Sequence, residues 1–207
     1  MTEILKSHPA LLIIDMQNGF CHQEACFGKL GMPVSNHVAI VETINKLRAA
    51  SHAAKIPVIF TRLCYNEDYS DAGVQMEEQP QIKELRGLIR GTWDADVLDE
   101  LAPDTTRGEI VINKNRNSAF FNTDLEDLLR SHGVNQLLCT GVGSNVCVES
   151  TVRDGAARDY YCKTLSDATA TLTMEDHNAC MKNLVWFGGV VTADDVLWAL
   201  KRRQENA

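Results

Sequence analysis

Short apolar runs alternate with amphipathic stretches along most of this 207-residue chain. Such runs are typical of strands that are buried on both faces of a sheet. They predict strands at residues 10–14, 57–61, 109–113, 136–140, 160–164 and 189–192. Because helical patterns separate the runs, the order indicates βαβ units and an α/β fold, with a mostly parallel six-stranded sheet covered by helices on both faces.

Two helices are indicated most clearly, at residues 35–52 and 124–132. Apolar residues recur at helical spacing through the first, which predicts one buried stripe. The second begins with a capping pattern of Thr123 and Glu126, and Gly133 follows its end.

Two long segments, residues 16–34 and 62–93, match neither pattern. Each follows the carboxyl end of a predicted strand, which is where parallel α/β sheets bind their ligands. Connections of this length inside a compact domain are usually functional. We therefore expect both segments to form walls or lids of a pocket.

The amino-acid composition limits the kinds of molecule that the protein is expected to bind. The length and the 44% hydrophobic content suit one domain over residues 1–207. A formal net charge of −8 argues against nucleic acid or an anionic membrane as partner, because both attract basic surfaces. Seven cysteines without a CxxC pair favour a reducing, cytoplasmic compartment over a disulfide framework. The sequence shows neither a signal-peptide pattern nor a membrane-spanning pattern. Since nucleic acid and membrane are disfavoured as partners, we expect a small-molecule substrate.

Three chemically active side chains follow predicted strands. Asp15 ends the first strand, Lys114 follows the third, and Cys147 lies where the fourth turns into a helix. A cysteine at a helix N-terminus is favoured as the thiolate, which is the nucleophilic form. The carboxyl ends of parallel strands share one edge, so we expect one active site. In it Cys147 attacks, Asp15 carries the proton and Lys114 holds the charges in place.

Hydrolysis by a cysteine also needs N–H donors for the oxyanion. The backbone N–H groups of Gly143 and Cys147 are the candidates. Histidine is missing from equivalent strand ends, so a Cys-His arrangement is not indicated. On spacing alone, other interpretations stay open: Asp15 as a helix cap and Lys114 as a solvated surface residue.

Two rival functions would use the same stretch differently. A redox cysteine would need a resolving partner near Cys147, and none is close in sequence. A dinucleotide-binding loop would use residues 141–143, but position 146 is Val where the GxGxxG pattern needs glycine.

Four stretches carry a family resemblance: residues 12–20, 57–62, 114–120 and 141–150. On these stretches, which appear in family order, the chain resembles the isochorismatase-like cysteine hydrolases. The resemblance implies a three-layer, Rossmann-like α/β/α fold and a catalytic triad of Asp15, Lys114 and Cys147. It also implies a cis peptide bond between Val142 and Gly143.

Within that family the chain looks most like the ureidoacrylate, biuret and N-carbamoylsarcosine hydrolases, on residues 69–73, 91–95 and 118–121. This implies an amidohydrolase for non-peptide C–N bonds, acting on a small amide, ureido or carbamoyl compound. A covalent acyl-enzyme on Cys147 would release ammonia or a carbamate. The alternatives are a nicotinamidase-like or maleamate-like amidase, an isochorismatase-type hydrolase, and a silent member that only binds. Because family members commonly form dimers or tetramers, a homo-oligomer is expected.

The resemblance also bears on metals. Nicotinamidases of this family hold a metal through histidines after the second strand, and residues 61–70 contain none. We therefore expect no metal and no other cofactor. A remaining ligand set, Cys21, His22 and Cys26, lacks a recognised zinc spacing.

Seven residues are candidates for substrate binding. They are Gln17, Asn18, Phe20, Arg62, Trp93, Arg116 and Phe120. The aromatic residues would wall the pocket, the amides would bond a substrate amide, and either arginine would pair with a substrate carboxylate. The alternative roles are core packing, bonding of loop backbone and subunit contacts.

Overall fold

The computed structural model describes residues 4–34 and 36–205, and within them six parallel strands form one sheet. The strands are β1 (Pro9–Ile14), β2 (Val58–Leu63), β3 (Ile110–Lys114), β4 (Gln136–Val142), β5 (Tyr161–Ala170) and β6 (Val190–Val191). Their spatial order is β3-β2-β1-β4-β5-β6. Each predicted strand overlaps an observed one, and the predicted parallel sheet is confirmed.

Helices connect the strands. They are α1 (Asn18–Cys21), α2 (Cys26–Lys29), α3 (His37–Ala53), α4 (Gln75–Glu78), α5 (Pro80–Glu84), α6 (Leu125–Ser131), α7 (Glu149–Ala157), α8 (Met174–Leu184) and α9 (Ala193–Glu205). The predicted start of the first long helix, residue 35, lies outside the described residues. None of the helices in the described part of the chain is long and apolar enough to cross a membrane.

The sheet is buried on both faces, because side chains alternate along each strand. In β1, Leu11 and Ile13 pack into the cluster that includes residues of α3 and α9. Leu12 and Ile14 pack into the cluster that includes residues of α6, α7 and α8. The expected three-layer arrangement is therefore confirmed.

The start of α6 differs in detail from its prediction. Asp124, not Thr123, occupies the N-cap position, and its side chain makes no capping hydrogen bond. The Thr123 hydroxyl instead accepts from the Leu125 N–H at 3.3 Å and donates to the Ala119 carbonyl at 2.5 Å. Gly133 follows the helix with φ 63°, as its position indicated.

The order of the strands in the sheet determines where the candidate site lies. From β1 the chain adds β2 and β3 on one side of β1, and then β4, β5 and β6 on the other side. In open α/β sheets such a reversal opens a crevice at the carboxyl ends of the two strands. The close approach of β4 to β1 requires a glycine: a Cβ on Gly141, at φ 115°, would lie 1.9 Å from the Ile14 carbonyl oxygen. Residues 15 and 147 therefore face the same crevice.

Candidate active site

Asp15 ends β1 in a left-handed backbone conformation, with φ 53°. Such a conformation costs a non-glycine residue about 1–3 kcal/mol and is often found at functional sites. The side chain is fully buried, and the Thr61 hydroxyl donates to Oδ1 at 2.7 Å. The strained turn and Thr61 together fix one carboxylate oxygen and leave Oδ2 to meet another group.

Lys114 supplies that group from two strands away. β2 lies between β3 and β1, so the two strands are about 10 Å apart and a long side chain is needed to bridge them. Nζ of Lys114 lies 2.6 Å from Oδ2 of Asp15, both side chains are fully buried, and Nζ also donates to the Arg116 carbonyl at 3.0 Å. Burial alone lowers the pKa of the ammonium, but the charges of Asp15 and Cys147 outweigh it and raise the pKa above its ordinary value.

Cys147 lies inside a π-helical turn, Ser144–Val148, that joins β4 to α7. Its thiol lies close enough to Asp15 and Lys114 for the charges of both to act on it. Burial raises the pKa of the thiol to about 12, although the Lys114 charge opposes this. The expectation of a thiolate favoured by a helix N-terminus is therefore wrong for this state, because burial dominates and Cys147 is a thiol at neutral pH.

Gly143 makes the turn that precedes Cys147. The described residues contain no cis peptide bond, so the expected cis bond at Val142–Gly143 is not present. Gly143 reverses the chain instead with a left-handed conformation, φ 72° and ψ 54°, which glycine adopts at little cost. A Cβ here would lie 3.5 Å from the Cys147 nitrogen, so glycine keeps space open beside that N–H. Oxyanion binding by the Gly143 and Cys147 N–H groups stays a prediction.

A cavity of about 160 Å³ opens onto Cys147. The two long segments form much of its wall, as expected: they contribute Phe20, Phe27, Val34, Leu63, Gln75 and Gln79. Asn117 and Leu172 also line it. None of the described residues that line the cavity carries a charged side chain. Its size and its apolar wall with a few amides suit a small, polar, uncharged part of a substrate.

Residues 9–195 match the family model of the isochorismatase domain. The chain belongs to the isochorismatase family. Among similar proteins, the ureidoacrylate amidohydrolase RutB of Serratia proteamaculans is 40% identical over 175 residues, which cover 77% of this chain and 68% of that protein. The RutB protein of Pantoea ananatis is 38% identical over 197 residues, covering 89% and 78% respectively.

A cysteine hydrolase from Pseudomonas syringae pv. phaseolicola has a similar crystal structure, with a TM-score of 0.86 at 31% identity over 95% of this chain and 93% of that one. These relatives confirm the predicted fold, the family and the class of enzyme, a hydrolase of C–N amide bonds.

In this isochorismatase family member, the amides after Asp15 bond to the backbone. Gln17 donates through Nε2 to the Leu63 and Ala95 carbonyls and accepts from the Leu63 N–H. Asn18 donates through Nδ2 to the Trp93 carbonyl at 2.8 Å. These bonds use the groups that a substrate amide would need. The structure therefore assigns both residues to holding the pocket segments together.

The three aromatic candidates for substrate binding differ in whether they line the cavity. Phe20 lines the cavity, as predicted. Phe120 is buried elsewhere, among residues under α6 and α7, and its ring lies 5.8 Å from that of Tyr160. Trp93 is 49% exposed, with its ring 5.3 Å from the His22 ring. Neither Phe120 nor Trp93 lines the cavity at Cys147, so for these two residues the role in substrate binding stays a prediction.

The two candidate arginines also differ in position. Arg62 is held by Asn113 at 3.0 Å and by Asp96 at 3.2 Å. Arg116 lines a second cavity of about 470 Å³. The two cavities share Gln75, Gln79 and Asn117, so the second adjoins the one at Cys147.

Several contributors were missed from the sequence. Thr61 carries a signal, because it is a polar residue within an apolar strand. Gln75 begins the short helix α4, and Gln79 and Asn117 lie between regular elements. In such short or irregular segments no periodic pattern distinguishes a pocket residue from a surface residue.

No group of three or more His, Cys, Asp and Glu side chains suited to a metal lies in the described part of the chain. Burial raises the pKa of Cys21 to about 12 and that of Cys26 to about 11.

Proposed function

We propose that this protein is a cysteine amidohydrolase of the ureidoacrylate type, acting through a covalent acyl-enzyme on Cys147. The observation that carries the proposal is the buried ion pair of Asp15 and Lys114, 2.6 Å apart, whose two charges both act on the Cys147 thiol beside a small cavity. The ureidoacrylate amidohydrolases among its relatives support a small ureido substrate.

The protonated thiol makes a general base necessary. As the Cys147 sulfur attacks the substrate carbonyl carbon, its proton passes to Asp15 and the carbonyl oxygen becomes an oxyanion. The N–H groups of Gly143 and Cys147 stabilise that oxyanion. Asp15 then gives the proton to the leaving nitrogen, the C–N bond breaks, and a thioester remains on sulfur.

Hydrolysis of the thioester repeats these steps with water. Asp15 takes a proton from the attacking water, the C–S bond breaks, and the proton returns to the Cys147 sulfur. Lys114 stays protonated throughout, which its raised pKa supports. Its charge offsets the negative charge that moves between sulfur and carboxylate.

Arg116 is the better placed arginine for a substrate that carries a carboxylate. Its Nη1 donates to the Asp71 and Asn115 carbonyls, which orients the guanidinium in the second cavity. A substrate held at Cys147 would reach it past the shared amides of Gln75 and Gln79. Arginine binds carboxylates with paired N–H donors, so we assign Arg116 to the acidic end of the substrate.

The reaction is tested with a panel of ureidoacrylate, biuret, N-carbamoylsarcosine, maleamate and nicotinamide. Wild-type protein should release ammonia from the ureido and carbamoyl compounds, and acid quenching should trap an acyl group on the Cys147 peptide, read by mass spectrometry. Cys147→Ala should fold normally and release none. Turnover by Cys147→Ala, or an acyl group trapped on another residue, would contradict the proposal.

Arg116→Gln tests the carboxylate contact. It should raise KM for ureidoacrylate about 10- to 100-fold, because a charge-assisted hydrogen-bond pair is lost, and change KM for uncharged biuret little. Arg62→Gln is the matched control and should leave both values unchanged. An equal effect of Arg116→Gln on both substrates would assign Arg116 a structural role.

A further inference from the structure

The turn that carries the nucleophile is held from behind by α8. Ser144, directly after Gly143, is fully buried, and its Oγ lies 3.0 Å from Nδ1 of His177. The Cys180 thiol donates to the Ser144 carbonyl at 2.9 Å. One residue of the turn is thus bonded to α8 through both its side chain and its backbone.

The His177 ring makes its recorded hydrogen bond through Nδ1, to the Ser144 hydroxyl. Burial lowers the pKa of His177, so the ring is neutral at pH 7. A neutral imidazole has one donor and one acceptor nitrogen, and a hydroxyl can fill either role, so the bond between Ser144 and Nδ1 forms in both tautomers.

The turn needs such support because its own geometry is unfavourable. The Val148 N–H reaches back to the Gly143 carbonyl at 3.1 Å, which is the wide hydrogen-bond pattern of a π-helix. Single π-turns are uncommon and are frequently found at functional sites. Gly143 has no side chain that would hold the conformation, so Ser144 is the first residue after β4 whose side chain can do so.

We propose that His177 is a positioning residue: through the Ser144 hydroxyl it fixes the turn that places the Cys147 sulfur against Asp15 and Lys114. The ring is buried and is absent from the lining of the cavity at Cys147. The inference rests on the proposed role of Cys147 as nucleophile. It assigns work to a histidine that the chemistry of the triad does not use.

Two substitutions at position 177 separate the contacts of the ring. The Oδ1 of Asn in His177→Asn occupies nearly the place of Nδ1 and accepts from Ser144, but reaches no further. The longer side chain in His177→Gln carries its amide to the place of Nε2, beyond the position of Nδ1, and so leaves the Ser144 hydroxyl without its partner. Both remove the aromatic ring, so the effects of lost packing are matched.

His177→Gln should lower kcat about 10- to 100-fold with KM nearly unchanged, because a misplaced nucleophile slows the chemistry but not substrate binding. His177→Asn should retain kcat within a few-fold of wild type. Ser144→Ala should reproduce the loss of His177→Gln, and the double variant should lose no more than either single one.

The rate of alkylation of Cys147 by iodoacetamide, read by mass spectrometry, provides a measurement that needs no substrate. It should change in His177→Gln and Ser144→Ala and stay near wild type in His177→Asn. If the panel of amides shows no turnover at all, the proposed function fails, yet the alkylation rates still test the positioning role.

Equal kcat and equal alkylation in His177→Asn and His177→Gln would overturn the inference, since packing alone would then explain the histidine. If neither variant folds by circular dichroism, Ser144→Ala decides, because it deletes a single hydroxyl and keeps the ring. A Ser144→Ala protein with wild-type kcat and wild-type alkylation would also overturn the inference.

Discussion

Two buried carboxylates lie at opposite ends of the strands of the same sheet. Asp15 follows β1 at the carboxyl edge and is paired with Lys114 at 2.6 Å. Glu109 precedes β3 at the amino edge and is paired with Arg48 at 2.5 Å. Both carboxylate side chains are fully buried, so the two pairs start from the same electrostatic problem of a charge removed from water.

The two carboxylates differ in how completely they are bonded. Glu109 accepts from Arg48 through Nε and Nη2, from His52 Nε2 and from the Asp104 N–H. Burial alone raises the pKa of Glu109, but these hydrogen bonds outweigh it and lower the pKa. With every lone pair used, Glu109 holds α3 against the start of β3 and takes up a proton only at a pH below its ordinary pKa.

Asp15 has fewer partners, and one of them is chemically active. Thr61 and Lys114 orient the carboxylate, and the remaining neighbour is the Cys147 thiol, which carries a proton at neutral pH. A saturated carboxylate fixes structure, whereas one that is oriented but shares its site with a protonated nucleophile can move a proton. By this criterion Glu109 and Arg48 form a structural ion pair, whereas the pair of Asp15 and Lys114 suits the proposed proton transfer.

Replacing each carboxylate by its amide tests the comparison most directly. Asp15→Asn should lower kcat about 1000-fold, because no base remains for the thiol proton. Glu109→Gln should keep near wild-type kcat per folded molecule. Both variants lose stability, since each leaves a cation buried without its carboxylate, so kcat must be corrected for the folded fraction from circular dichroism. Similar losses of kcat in the two variants would end the distinction.

The pH dependence of stability is a second test of the difference between the two ion pairs. The pKa of Glu109 is lower in the folded protein than its ordinary value of 4.5, so its stabilisation is present above that pH and is lost as the pH falls through the folded-state pKa. Glu109→Gln should cost about 3 kcal/mol of unfolding free energy at pH 7. Urea titrations should show the difference from wild type shrinking below pH 4.5. A difference that is constant with pH would mean that packing, not charge, is lost.

The smallest expected effect is on the pH dependence of alkylation of the Cys147 thiol. Its pKa is raised from 9.0 to about 12, so the thiolate fraction of Cys147 continues to grow at pH values where an ordinary thiol is fully ionised. The rise of the alkylation rate at Cys147 with pH should therefore have its midpoint well above 9.0 in the folded protein, whereas the same cysteine in urea-unfolded protein should have its midpoint near 9.0. A midpoint at or below 9.0 in the folded protein would show that Cys147 is not held as a thiol.

Much of the fold was predictable because the signals are local. Apolar runs and the helical stretches between them need only neighbouring residues, and the observed strands differ from the predicted ones mainly at their ends. β5 is the exception, since it extends from a predicted 160–164 to Tyr161–Ala170 through a register irregularity opposite β4. That extension depends on pairing with a strand that is distant in sequence.

The substrate-binding residues were less predictable, because the type of a residue does not determine where its side chain points in the fold. Gln17 and Asn18 have the groups to bond a substrate, yet both point at backbone carbonyls. Phe120 and Trp93 have the apolar surface of a pocket wall, yet one packs in the core and the other lies half exposed. Which partner a side chain meets depends on how the long segments fold over the sheet.

Residue chemistry and local periodicity were sufficient to select Asp15, Lys114 and Cys147 and to place each at a strand end. They were insufficient to show that Lys114 spans β2 to reach Asp15, or that His177 bonds to the turn of the nucleophile. They also pointed to the wrong protonation state for Cys147. Strand order sets the distances between residues far apart in sequence, and burial sets the free-energy cost of a charge. Neither quantity exists before the chain folds.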